Sequence, residues 1–102
     1  DGRKKGAGAL YGLAPLKTSV EPNPAGEWNN SRIMQVNGKI NFWLNGIMTC
    51  EEQIGSDRWK GLVAGSKAAV FPDFSKSTKG HIGLQDWAKG VSFKNIKIRI
   101  IQ

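Results

Sequence analysis

The chain is poor in the residues that build staples and metal sites. One cysteine, Cys50, in 102 residues excludes an internal disulfide, so the fold is not a disulfide-stapled mini-protein. A single histidine, His81, beside that single cysteine excludes zinc-finger spacing and leaves no metal motif. No apolar run approaches the roughly 18 residues that cross a bilayer, and no charged-apolar-small leader opens the sequence. Acidic residues are also scarce: eight against fifteen Lys and Arg, for a net charge of +7. That balance raises the question of nucleic acid. The only tight basic cluster is Arg3, Lys4 and Lys5, and the rest are scattered singly, so no nucleic-acid partner is expected. The glycines at 6, 8 and 12 lack the Gly-Lys-Ser/Thr ending of a phosphate loop, and no Gly-x-Ser-x-Gly nucleophile elbow occurs.

What remains is ordinary globular composition in one domain's length, 39% hydrophobic and 23% charged. Punctuation is dense before Trp28, with Pro15, Pro22, Pro24 and Gly26, so a strand near Ala9–Leu13 followed by an extended loop is expected. From there the pattern turns β. Ser31–Val36, Lys39–Leu44 and Ile47–Glu51 are separated by Asn37-Gly38 and Asn45-Gly46, which predicts a three-stranded meander with two tight turns. Alternation along the middle strand sends Ile40, Phe42 and Leu44 to one face and Asn41 with Trp43 to the other. Ser56–Ser66 predicts a short helix capped by Ser56, with Trp59, Leu62 and Val63 on one side. Residues Lys67–Lys79 read as loop. His81–Asp86 and Val91–Ile101 read as strands, and the parity change between Phe93 and Ile96 predicts either burial on both faces or a bulge near Asn95. The whole is an all-β antiparallel sandwich or barrel with one short helix.

Several segments carry a family resemblance. Pro24-Ala25-Gly26-Glu27-Trp28-Asn29 precedes Asn41-Phe42-Trp43-Leu44-Asn45-Gly46. Gly80-His81-Ile82-Gly83-Leu84-Gln85-Asp86 is closed by Phe93-Lys94-Asn95-Ile96-Lys97-Ile98-Arg99, and Gly8-Ala9-Leu10-Tyr11 fits the same order. In these the chain resembles the 3-keto-disaccharide hydrolases, from about Gly6 to Ile100. The resemblance implies a concanavalin A-like jelly roll of two sheets. It implies cleavage of the glycosidic bond of 3-keto-glucosides or 3-keto-disaccharides, and the keto group, by acidifying a neighbouring C–H, makes elimination followed by hydration a feasible route. It also implies a periplasmic or secreted setting. The family's domain is longer, and this sequence resembles its C-terminal part. Residues 1–102 are therefore expected to form a single, partial sandwich domain, completed by an N-terminal half or by a second chain. Where many members carry His after the Gln-Asp pair, this sequence has Trp87, so no role for that His carries over.

Glu27 and Asp86 are the catalytic candidates, because glycosidic chemistry needs a proton donor and a base, and each stands beside a tryptophan. Their bland alternatives are a surface carboxylate and a turn cap. Tyr11, Trp28, Trp43 and Trp87 are candidate stacking platforms for a sugar partner, with core packing as the alternative, favoured for Trp59 and for Trp28 and evenly balanced for Trp43 and Trp87. Asn29, Asn41 and Gln85 offer fixed donors and acceptors for hydroxyls, with backbone or turn bonding as the alternative. His81 and Cys50 read as a strand residue and a buried small apolar residue. A second reading is a non-catalytic carbohydrate-binding module.

Overall fold

The computed structural model describes Leu13, residues 16–71, Gly80, residues 82–84 and residues 91–101. Its centre is one antiparallel sheet in the order β1-β2-β3, with β1 at Ser31–Val36, β2 at Lys39–Leu44 and β3 at Ile47–Gln53. The two Asn-Gly pairs set this topology. Asn37 and Asn45 both sit at φ 51°, and Gly38 and Gly46 at φ 80° and 84°. Two consecutive left-handed residues give the turn whose twist matches that of the flanking strands. The expected strands and turns hold, and β3 runs two residues further than its predicted end.

The sheet departs from a simple hairpin at one place. A two-residue turn at Asn45-Gly46 pairs Leu44 with Ile47 and Trp43 with Met48, but Phe42 then pairs with Cys50 and Asn41 with Glu51. Thr49 is the extra residue of this β-bulge. It is fully buried, its hydroxyl donates to the Phe42 carbonyl, and its own carbonyl accepts from the Lys17 amide at 2.7 Å. A bulge shifts the alternation by one residue, so everything beyond it on β3 changes face.

The helix α1 spans Asp57–Ala64, inside its predicted limits. Ser56 caps it: the Ser56 hydroxyl accepts from the Trp59 amide at 3.1 Å, and Asp57 sits in the positive first turn. Trp59 is 4% exposed and anchors α1. The buried Glu52 of β3 takes the Arg58 guanidinium in two bonds of 2.9 and 3.0 Å, which fastens the first turn of α1 to the sheet. Lys67–Val70, read as loop, closes into one 3₁₀ turn.

Among the described residues the apolar core is small: Leu13, Leu44, Cys50 and Trp59 are buried. Cys50 is free and inside, as its type predicts. Ile40 and Phe42, expected in the core with Leu44, are half-buried. Two expectations are corrected. Residues 91–101, read as a strand, belong to no strand here; no described strand runs against their backbone groups, and Phe93, Ile96, Ile98 and Ile100 stand exposed. Asn95, where the sequence offered a switch of face, does adopt a left-handed φ of 54°. Trp28, expected in the core, is 52% exposed. Of the remaining predicted strands, Ala9–Leu13 lies outside the described residues except for Leu13, which sits in a turn. His81–Asp86 is described only at residues 82–84, which are not strand.

Candidate functional site

One face of the sheet collects polar and aromatic side chains. β2 contributes Lys39, Asn41 and Trp43, which alternate onto the same side. β1 lays Arg32 directly opposite Trp43. β3, re-aimed by the bulge, brings Glu51 opposite Asn41. The loop before β1 brings Lys17 to the outer edge of β3 through its backbone bond to Thr49.

The centre of this face is the Glu51 carboxylate. Asn41, 5% exposed, donates its amide to Glu51 Oε2 at 2.9 Å and also meets Met48 Sδ at 3.3 Å. Lys17 Nζ lies 3.2 Å from Oε1 and Lys39 Nζ 3.3 Å from Oε2. The Asn41 amide first, then Lys17 and Lys39, stabilise the charged form and hold the Glu51 carboxyl down at about 2, against 4.5 ordinarily. Such a carboxylate is ionised at every physiological pH and is a weak base, suited to positioning its neighbours. Beside it, Lys39, Glu51, Glu52, Gln53, Ser56 and Arg58 line an open depression of about 420 Å³ that wraps the end of β3. Pairing with Glu52 raises the Arg58 pKa further above its already high value.

The depressed pKa gives a pH prediction. A carboxyl lower in the folded state than in the unfolded chain stabilises the fold above its unfolded value and loses that contribution as pH falls through the folded one. The melting temperature should therefore drop as pH falls from about 4.5 towards 2. Glu51→Gln should flatten that part of the profile. Identical slopes in both proteins would show that this cluster does not form in solution.

The sequence-derived candidates divide. Asn41 and Trp43 share the face, as alternation predicts. The Asn41 amide is spent on Glu51, so any influence on a sugar passes through that carboxylate. Glu27 and Trp28 sit on a loop that is tied down side chain by side chain. Asn29 Oδ1 accepts from the Asn23 amide and from Asn45 Nδ2, Asn23 Nδ2 donates to the Trp28 carbonyl, and Asn45 Oδ1 accepts from the Asn30 amide. Asn45 is thus a turn residue that also clamps this loop to the end of β2 carrying Trp43. The Glu27 amide donates to the Pro24 carbonyl at 3.1 Å, across a turn that Gly26 completes at φ 92°. The Glu27 side chain is exposed and meets no cation among the described residues. Trp28 has Lys94 Nζ 4.2 Å above its ring. Tyr11, Gln85, Asp86 and Trp87 lie outside the described residues. Sequence reasoning missed Glu51, Lys17, Lys39 and Arg32. The signal for Glu51 was the hairpin register, but the unbulged count pairs Asn41 with Cys50 instead. Among the described residues no three His, Cys, Asp or Glu side chains converge for a metal, and no helix is long and apolar enough to cross a membrane.

Comparison with known proteins places this geometry. Residues 1–99 match the family described as 3-keto-alpha-glucoside-1,2-lyase-like domain. The chain is 26% identical over 103 residues to a 3-keto-disaccharide hydrolase of Bacteroides thetaiotaomicron, covering 91% of this chain and 35% of that protein. A crystal structure from Parabacteroides distasonis, provisionally named a glycosyl hydrolase, is 34% identical with a TM-score of 0.62, covering 70% of this chain and 32% of that one. The chain thus spans about a third of the length of these relatives. The match bears out the all-β class, antiparallel with one short helix.

Proposed function

We propose that this chain, which belongs to the 3-keto-alpha-glucoside-1,2-lyase-like family, supplies part of the site of an enzyme that releases sugar from 3-keto-glucosides or 3-keto-disaccharides. The observation that carries the reading is the face on which an ionised carboxylate, an oriented amide and a tryptophan are assembled. Sugars are bound by such mixtures: planar aromatics take their C–H faces, and fixed polar groups take their hydroxyls.

The 3-keto group decides the chemistry. A carbonyl at C3 acidifies the hydrogen on C2. A base removes that proton, the electron pair closes a C1–C2 double bond, and the glycosidic oxygen leaves C1 and takes a proton from an acid. Water then adds its oxygen to C1 and a proton to C2, restoring a 3-keto sugar. Glu51 does not suit the base, because a carboxyl held near 2 has little affinity for a proton. Glu27 takes that role in our reading, on its clamped loop, and Asp86 of the Gly-x-Ile-x-Leu-Gln-Asp motif acts as the acid. Trp43, Trp28, Trp87, Tyr11 and Gln85 position the sugar.

The test offers the full-length protein a 3-keto-disaccharide and the matching unoxidised disaccharide. Release from the keto substrate alone is the expected result, because only that substrate has an acidified C–H. Equal release from both would replace elimination by ordinary glycosidase chemistry. Saturable binding without release would make the protein a carbohydrate-binding module.

A further inference from the structure

We propose that Arg32, seated on Trp43, recognises the 3-keto oxygen of the sugar and stabilises the negative charge that grows there when the C2 proton leaves. The inference rests on the keto-sugar reaction proposed above. Three observations carry it. First, Arg32 and Trp43 are direct cross-strand partners, and the guanidinium carbon lies 5.1 Å from the centre of the ring. That is within the range of a cation–π contact. Second, among the described residues Arg32 has no ion-pair partner. Lys17 and Lys39 are spent on Glu51, and Arg58 is spent on Glu52. Arg32 is exposed and meets no carboxylate among the described residues. Third, it stands on the face that gathers Asn41 and Glu51. Asn41 is two residues before Trp43 on β2, about 7 Å along the strand.

A guanidinium carries five N–H donors in one plane and no acceptor. Held over the Trp43 ring, the guanidinium brings those donors to the face that carries Asn41 and Glu51. A ketone oxygen only accepts, so the match is one-sided, donor to acceptor. The charge step sharpens it. The C2–H electron pair is delocalised onto the C3 oxygen as the base takes the proton, and it returns to expel the glycosidic oxygen from C1. Between those two moments the C3 oxygen carries negative charge, which is where a pre-placed cation lowers the barrier. The hydroxyl of an unoxidised sugar can take the same hydrogen bond but develops no charge there. Arg32 should therefore act on turnover far more than on ground-state binding.

The test is steady-state kinetics of the full-length protein on a 3-keto-disaccharide, with the unoxidised disaccharide as a competing ligand. Arg32→Ala should lower kcat on the order of 10²- to 10³-fold, the usual loss of one oxyanion donor. Affinity for the unoxidised disaccharide should move by about 3-fold or less, since a single hydrogen bond to a hydroxyl that develops no charge is all that is lost there. Arg32→Lys should recover part of the rate, because charge returns without the planar fork of donors. Unchanged kcat in Arg32→Ala would overturn the proposal. So would a parallel fall in kcat, affinity and melting temperature, which would make Arg32 a structural residue. If the unaltered protein releases nothing from the keto substrate, the keto-sugar reaction itself fails and takes this proposal with it. That result is read in the parent protein, and so is distinct from a failure confined to the variants.

Discussion

Trp59→Ala should destabilise the chain by about 3–5 kcal/mol, as truncation of a buried tryptophan does. Trp59 is 4% exposed, and its amide is the one held by the Ser56 cap. It anchors α1 over a core in which, among the described residues, the other buried apolar side chains are only Leu13, Leu44 and Cys50. A domain stable by roughly 5–15 kcal/mol loses a large share of its margin in one such step. The control is Trp28→Ala. Trp28 is exposed, and its contact with Lys94 is worth on the order of 0.5–1 kcal/mol. Urea titration of both variants separates the two tryptophans. Equal shifts in midpoint would contradict the packing described for Trp59.

The second large effect is chemical. Glu27→Gln should lower kcat by roughly 10²- to 10⁴-fold on every 3-keto substrate, the usual contribution of a general base. Asp86→Asn should cost a similar factor on a disaccharide, but much less on a 3-keto aryl glycoside. An aryloxide leaves without needing a proton, so the acid matters less there. Glu51→Gln should spare that distinction. It should cost stability above about pH 4.5, with the difference from the parent shrinking towards pH 2, and act on binding through a released Asn41, because Glu51 orients groups and does not carry the proton. Rates on the two leaving groups, measured across the three variants, check all of this. An Asp86→Asn defect of equal size on both leaving groups would remove Asp86 from the acid role. Full activity in Glu27→Gln would return that carboxylate to the surface.

The local signals explain why the meander and helix were legible and part of the site was not. Two Asn-Gly pairs fix both turns through a left-handed backbone that few other residues tolerate, so three strands and their pairing follow from sequence. Ser56 and the spacing of Trp59, Leu62 and Val63 fix α1 in the same local way. The bulge at Thr49 has no such marker. It is set by tertiary demand, where a buried threonine meets the Lys17 amide, and one extra residue carries Glu51 onto the face of Asn41. That is why alternation found Asn41 and Trp43 but not the carboxylate between the lysines. The apolar run from Val91 to Ile101 reads as strand by composition, yet strand is a paired state, and the described sheet offers it no partner. Trp28 shows the converse. Residue type alone favours the core for this tryptophan, and the asparagine clamp around its loop holds it on the outside instead.

The measurement that bears most directly on the central claim is the reaction of the full-length protein with a 3-keto-disaccharide in D₂O, followed by NMR from the first turnovers. Elimination and rehydration predict free sugar together with a 3-keto product that carries deuterium at C2, ahead of any exchange in the remaining substrate. A disaccharide that stays intact, or a product that keeps its original hydrogen at C2, would contradict the account.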